Sequence, residues 1–369
     1  MAILDATLRE GEQRYGVYFD QEIRTKIAKT LLASGIEEVE LGVIKEDKCL
    51  QELWQEVANF SAQISFWCRL KETDIRLATS LFKGSKLNLS IPVSNTQLEK
   101  KLQINPSDLV VRLKKLLPLA TKHFDFVSLG LEDASRAEQK FLFTIIAVAR
   151  EEGVKRIRLS DTLGWWDPLS VVKLVQDFKS KFPELELSIH AHNDFGLATA
   201  NALTALQAGA NWVDTCLLGL GERAGLAALE EVTAYLYFRK QNKKYDLPQI
   251  VDLSKQVAAK TGTTYSEFKP ILGQKLFFCE TGLHVEALYK ARETYEPFPP
   301  EKLGLNHYFA LGAKSGLNAI KSKLAQLGFE LNPAQLKQLV PKIKELSLQK
   351  KRPLTDQEIK ELVTHVLLQ

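Results

Sequence analysis

The chain has 369 residues, of which 45% are hydrophobic and 25% charged, with a formal net charge of +4. This is ordinary for a soluble enzyme, and the length suggests one large domain plus a smaller one. The charge is too mild, and its basic residues too evenly mixed with acidic ones, to indicate nucleic acid.

Four scattered cysteines, Cys49, Cys68, Cys216 and Cys279, form no C-x-x-C and so argue against a zinc knuckle or a disulfide framework. No window approaches ~18 uninterrupted apolar residues, which excludes a membrane span. Met1–Asp5 does not read as a signal peptide. The expected location is the cytoplasm.

Taken in order, strand-like and helix-like segments alternate. An apolar run over Ala2–Leu8 ends in Arg9-Glu10-Gly11-Glu12, and a helix is expected over Gln21–Ser34. Strand Glu37–Val43, helix Gln51–Ala58, strand Ile64–Leu70 and helix Thr73–Phe82 follow. Next come strand Lys86–Pro92 and helix Asp108–Thr121, the latter with Ser107 as its N-cap and Pro106 just before. Strand Phe124–Leu131 ends at Glu132-Asp133, and helix Ala137–Glu152 follows it. Strand Arg156–Ser160 ends at Asp161-Thr162 before helix Leu169–Lys181. Strand Glu184–His190, helix Leu197–Gly209, strand Trp212–Leu218 and helix Leu226–Lys240 complete the series.

Eight such units imply a parallel sheet covered by helices, and their number at this length favours a (β/α)8 TIM barrel over an open doubly wound sheet. The catalytic barrel is assigned to residues 1–246. Residues 247–369 lose the alternation and read as a mostly helical C-terminal lid or subdomain, punctuated by Gly262, Pro270, Gly273 and the Pro297/Pro299/Pro300 cluster.

In Ser188-Ile189-His190-Ala191-His192-Asn193-Asp194 two histidines stand at i and i+2 at a strand end. They share one face and can grip a divalent metal, although two solvated polar residues would read the same way. In a barrel the chemistry sits at the C-terminal strand ends. Arg9/Glu10, Arg69, Glu132, Asp161/Thr162, His190/His192 and Gly219–Gly225 all fall there. Singly, Glu132 and Asp161 could be helix-capping carboxylates; as a set these residues converge on one mouth.

Asp5-Ala6-Thr7-Leu8-Arg9-Glu10-Gly11-Glu12-Gln13 resembles the D-x-T-L-R-[DE]-G-E-Q signature of the acyl-CoA-dependent Claisen-condensing barrel enzymes. These are the homocitrate, isopropylmalate and citramalate synthases, with hydroxymethylglutaryl-CoA lyase a more distant relative. His190–Asn201 resembles the second signature and Gly219–Gly225 the third, while Glu132–Arg136 and Asp214-Thr215 also fit. Within the family, Trp67–Leu70, Glu132–Arg136, Gly219–Glu230, Arg292–Pro297 and Pro300–Gly304 are most similar to homocitrate synthases of the nitrogen-fixation type. Isopropylmalate synthases usually continue into a leucine-sensing domain, for which 369 residues leave no room; this weakens the isopropylmalate expectation without removing it, because short versions exist.

The resemblance implies a metal held by Glu10, His190 and His192, of a kind that suits zinc, manganese or iron(II), or magnesium with waters. It implies catalytic roles for Arg9, beside the carboxylate ligand, and for Glu132 in proton transfer or in orienting it. Thr162 would bind the oxo-acid carboxylate, and Arg69 and Arg136 are further substrate-binding candidates. Gly219, Gly221, Glu222 and Gly225 are candidates for contact with acetyl-CoA, because a strand-to-helix glycine turn gives a ligand access to backbone N–H groups. His284 matches a catalytic histidine and Tyr295 a tyrosine that works with it; from the residues alone they read as a core-facing histidine and an aromatic anchor. The resemblance also implies a homodimer in which the C-terminal region covers the partner's barrel.

Four positions depart from the usual pattern. Cys279-Glu280-Thr281 replaces a histidine-containing run before His284, Lys314 replaces a histidine, Leu41–Lys45 lacks a proline, and Ser128 stands where several homocitrate synthases have arginine. The expected reaction is condensation of acetyl-CoA with 2-oxoglutarate, then thioester hydrolysis to homocitrate and CoA. Alternatives are the same chemistry on 2-oxoisovalerate, pyruvate or a longer dicarboxylate, and a non-catalytic ligand-binding paralogue. Arg69, Ser65, Ser90 and Arg136 at the mouth would decide among the oxo acids.

Overall fold

The structure is a computed structural model that describes residues 1–367. It divides into two compact units, Met1–Thr264 and Tyr265–Gln369. In the first, eight parallel strands close into a barrel: β1 (Ala2–Asp5), β2 (Glu38–Val43), β3 (Ile64–Arg69), β4 (Lys86–Pro92), β5 (Val127–Glu132), β6 (Arg156–Asp161), β7 (Glu186–Ala191) and β8 (Trp212–Thr215). Closure is made by β1 on β8, with Ala2 opposite Trp212 and Asp5 opposite Thr215.

A helix follows each strand: α1 (Gln21–Ala33), α2 (Lys48–Val57), α3 (Glu72–Leu81), α4 (Pro106–Thr121), α5 (Gln139–Glu151), α6 (Pro168–Lys181), α7 (Ala198–Ala208) and α8 (Leu229–Arg239). A further helix, α9 (Leu247–Thr261), packs on α1 and α8. The first unit therefore runs past residue 246, where the strand–helix alternation stops.

Strand alternation has an unusual partition here. Val39, Leu41, Leu87, Leu89, Ile157, Leu159, Leu187 and Ile189 are buried apolar residues. The residues between them are polar or charged and equally buried, among them Glu38, Glu40, Asn88, Arg156, Arg158 and Asp214. Glu38 accepts from Arg156 at 3.0 and 3.1 Å, and Glu40 from Arg158 at 2.7 Å. Since β2 and β6 are not neighbours in the barrel, these pairs cross its interior. A barrel lumen is usually filled by branched aliphatic side chains; this one is filled by layers of ion pairs.

Most element ends shift by one to three residues from the sequence expectation, and two of the differences have a local cause. Asn105, not Ser107, caps α4: its side chain accepts from the Asp108 N–H while Asp108 accepts from the Asn105 N–H, and Pro106 occupies the first helical position. Strand β8 ends at Thr215 rather than Leu218, because the chain turns into a single 3-10 turn in which Leu218 has φ +61°.

The second unit contains α10 (Gly282–Lys290), α11 (Leu317–Gln326), α12 (Pro333–Lys350) and α13 (Asp356–Leu367). A two-stranded parallel ladder, β9 (Phe278–Cys279) with β10 (Tyr308–Phe309), was not apparent in the sequence. A small core of its own, including Leu311, Ile320, Leu339, Ile343 and Ile359, holds α11–α13 together. No helix among the described residues is long and apolar enough to cross a membrane.

Candidate functional site

The loop after β1 is wound tightly: the carbonyl of Ala6 accepts from the N–H groups of Arg9, Glu10 and Gly11. This turns Glu10 over the barrel end. His190 lies within β7 and His192 just beyond it, with ring centroids 5.2 Å apart, so their two-residue spacing does place them on one side. Ligand atoms of Glu10, His190 and His192 all lie within 4.8 Å of one another, and all three residues are buried.

The electrostatics suit a cation. Burial opposes ionisation of Glu10, but the Arg9 guanidinium holds its carboxyl below the ordinary glutamate value. Burial pushes His190 well below the usual imidazole range, and the Arg158 and Arg9 guanidiniums push it further. Burial also lowers His192, with Arg223 adding to the effect. Both rings are thus neutral, the form that ligates metals. His190 Nδ1 lies 2.8 Å from Asp214 Oδ2, leaving Nε2 free to ligate. His192 Nδ1 is buried and has no hydrogen-bond partner among the described residues, and a bound group would give such an atom a role. The residues fit a divalent metal.

Arg9 does not pair with Asp5 or Glu12, the two acids nearest in sequence after Glu10. It contacts Glu10 and donates from Nε to Glu40 at 2.6 Å, while Asp5 holds Thr7 and Glu12 holds Arg24. Arg158 sits beneath, between Glu40 and Asp214. Sequence reading assigned no role to Glu40, Arg158 or Asp214. The signal was present as charged residues at period two in otherwise apolar strands, but it reads equally as one solvated face.

Arg9, Glu10, Glu132, Thr162, His190, His192 and Glu222 line one cavity of about 490 Å³. Glu132 accepts from Ser90 at 2.8 Å and from Lys101 at 2.7 Å, so it is not a helix cap. Asp161 does act as a loop cap, accepting from the Trp165 and Trp166 N–H groups. The Thr162 hydroxyl accepts from the Asp133 N–H at 2.8 Å. Lys101, Gln97, Asn88, Ser160 and Gln13 complete much of the polar lining, and none was singled out from sequence.

Two expectations are corrected. Arg69 and Arg136 do not line this cavity: Arg69 is taken up by Asp74 at 2.7 Å, and Arg136 forks onto Asp133 at 2.6 Å with its guanidinium over Trp165. Each has an acidic residue close by in sequence, Asp74 in the first turn of α3 and Asp133 just after β5, and is held there instead. Ser65 is buried and likewise stands outside the lining.

In the Gly219–Gly225 run, the N–H groups of Gly219, Leu220 and Gly225 are spent on turn hydrogen bonds. Gly225 has φ +85°, and a Cβ there would stand 1.8 Å from the Gly219 carbonyl oxygen, so only glycine closes this turn. The turn carries the Glu222 N–H to 3.4 Å from Glu10 Oε1. The glycines therefore shape the ground beside Glu10 rather than present a ring of free N–H donors.

In the second unit His284 is exposed on α10, which corrects the core-facing reading, and its ring stacks on Tyr295 with centroids 4.0 Å apart. The pair lines an apolar hollow of about 400 Å³ with Phe277, Phe298 and Leu288.

The family model described as HMGL-like matches residues 1–257. The chain belongs to the HMGL-like family. A second model, described as a homocitrate synthase post-HMGL domain, matches residues 271–351. Among similar proteins is "Homocitrate synthase 1" of Nostoc sp., 35% identical over 98% of this chain and 96% of its own length. "2-isopropylmalate synthase 2" of Caldanaerobacter subterraneus is 35% identical over 99% and 96%. "Homocitrate synthase" of Frankia alni is 36% identical over 88% and 93%. The HMG-CoA lyase structure from Brucella melitensis superposes with a TM-score of 0.62 at 15% identity, covering 71% of this chain and 98% of that one. That likeness bears on the HMGL-like barrel fold alone.

Proposed function

We propose that the protein is a homocitrate synthase of the nitrogen-fixation type, joining acetyl-CoA to 2-oxoglutarate and then releasing CoA by hydrolysis. The coarser statement, an acyltransferase condensing acetyl-CoA with a 2-oxo acid, follows from the HMGL-like family and its synthase relatives. The observation that favours the dicarboxylic acid is the polar lining of the cavity opposite the triad, with Ser90, Gln97, Lys101 and Glu132 where a branched aliphatic substrate would want apolar contact.

A divalent ion held by Glu10, His190 and His192 would polarise the keto group and fix the neighbouring carboxylate. Arg9, fixed by Glu10 and Glu40, is placed to stabilise negative charge developing on the keto oxygen. The Thr162 hydroxyl can donate to the oxo-acid carboxylate while accepting from Asp133. Glu132 serves proton transfer. His284, with Tyr295 stacked on it, takes the proton from the thioester methyl. We assign these two to the barrel of the partner subunit in a homodimer. Acetyl-CoA contact falls to Glu222 and the surrounding turn.

The test is a panel of 2-oxo acids with acetyl-CoA, read by release of free thiol and by the mass of the product. Turnover should be highest with 2-oxoglutarate and depend on a divalent metal. Preference for 2-oxoisovalerate or pyruvate would replace this reading with an isopropylmalate- or citramalate-type activity, the direction in which the Caldanaerobacter relative points.

A further inference from the structure

The closed strand order puts the metal triad and its substrate's far end on opposite walls. Glu10 follows β1 and the two histidines stand at the end of β7, flanking β8, whereas β4 and β5 stand across the barrel. A 2-oxo acid held by its keto end at the triad can extend toward the β4–β5 wall of the same cavity. That wall carries Ser90, Gln97, Lys101 and Glu132.

Three cationic side chains that line the cavity differ in what holds them. Arg9 is buried between Glu10 and Glu40, and Arg158 between Glu40 and Asp214. Each is already matched by two carboxylates and fixed deep in the barrel. Lys101 is different: its side chain is 57% exposed, and among the described residues its carboxylate partner is Glu132 alone, at 2.7 Å. An ammonium has three donors and can keep Glu132 while taking a second carboxylate. Beside it, the Gln97 side-chain oxygen is buried and has no hydrogen-bond partner among the described residues. That oxygen can only accept, but rotation of the amide about its last bond would present the Nε2 hydrogens to an anion in the cavity.

The backbone fixes this wall. Ser94 caps the segment after β4, accepting from the Gln97 N–H, and its hydroxyl contacts the buried Asp133 carboxylate. Leu98–Leu102 then forms a π-helical turn that ends in Gln103 at φ +54°. Asp133, after β5, is likewise left-handed at φ +60°. Rare π turns and left-handed non-glycine residues persist where surrounding contacts hold a functional geometry.

We propose that Lys101, assisted by Gln97, binds the carboxylate at the far end of a dicarboxylic 2-oxo acid and so selects the substrate. The assignment rests on the synthase reading above. It supplies the charge that the sequence lacks at Ser128, whose hydroxyl is engaged with Asn88 at 2.6 Å inside the barrel.

The test is steady-state kinetics of the metal-loaded enzyme and its K101Q and K101R variants with 2-oxoglutarate and with 2-oxobutyrate, which lacks the far carboxylate. K101Q should lower kcat/KM for 2-oxoglutarate about tenfold more than for 2-oxobutyrate, the scale of a lost charge-assisted hydrogen bond, because any loss that acts through Glu132 falls on both acids alike. K101R should recover most of the loss. If K101Q changes kcat/KM by the same factor on both acids, the assignment of Lys101 falls while the synthase reading stands. A wild-type enzyme that turns over no dicarboxylic acid overturns both.

Discussion

His190 meets two competing neighbours at Nδ1: Asp214 Oδ2 at 2.8 Å and Arg158 Nη2 at 3.3 Å. The nearer, anionic partner takes the ring hydrogen, and Arg158 binds the same carboxylate instead. Asp214 thereby orients the ring, helped by Ser188, which donates to its other oxygen at 2.8 Å. Such a carboxylate behind a ligand histidine typically changes metal affinity by about 10–100-fold. D214N should therefore weaken retention of the divalent metal by that order in a chelator competition, with the circular dichroism spectrum kept. Unchanged affinity would show that Asp214 serves only the Arg158 ion pair. That the two histidines share a side was legible, because a two-residue spacing in a strand dictates a shared face. Asp214, Glu40 and Arg158 were not, because their partners lie on distant strands and are chosen only when the barrel closes.

Among the elements, α10 carries the most consequence for its length. Val285 and Leu288 are buried on one side, against Phe309 and Ala319, and His284 stands exposed on the other, on Tyr295. Helical spacing could not tell this arrangement from a core histidine, since one residue's face depends on which neighbours the apolar stripe finds. Exposure leaves His284 available to another chain. On the homodimer proposal, H192A should lose metal and turnover, and H284A should lose turnover alone. Mixing the two by subunit exchange should restore about a quarter of wild-type turnover, because half the dimers would be mixed and each of those would keep one intact site. A mixture as inactive as its components would mean that His284 does not act across subunits, and near-normal turnover by H284A alone would remove it from catalysis. Elsewhere, long periodic elements were legible and their ends less so. Asn105 outcompeted Ser107 as a cap through a reciprocal bond to Asp108, and two-residue strands such as β9 carry no period to detect.

At the scale of the whole molecule, the closed eight-strand barrel followed from alternation and count, but its charged interior did not. Glu37–Val43 alternates as a half-solvated strand would; closure instead seals Glu38 inside, at 1% exposure. Arg156 is forked onto Glu38, Lys86 donates to it at 2.8 Å, and the Arg156 guanidinium lies 3.9 Å from the centre of the Trp212 ring. Burial alone would raise the Glu38 pKa, yet Arg156 and Lys86 outweigh it and bring the carboxyl from 4.5 down to about 2. The folded state thus binds this proton less readily than the unfolded chain. The contribution is full above the unfolded pKa of 4.5 and is lost as pH falls toward about 2. Its size is roughly 3 kcal/mol, since each tenfold loss of proton affinity on folding is worth about 1.4 kcal/mol. E38Q removes the titration and leaves Arg156 and Lys86 short of an anion, so it should cost about 3–5 kcal/mol at neutral pH. Denaturant unfolding at pH 7, 4.5 and 3 measures both effects. The variant should start less stable and lose less between pH 4.5 and 3 than wild type does. Equal acid sensitivity in the two proteins would mean that the ion pairs across the lumen do not set the acid limit of the barrel.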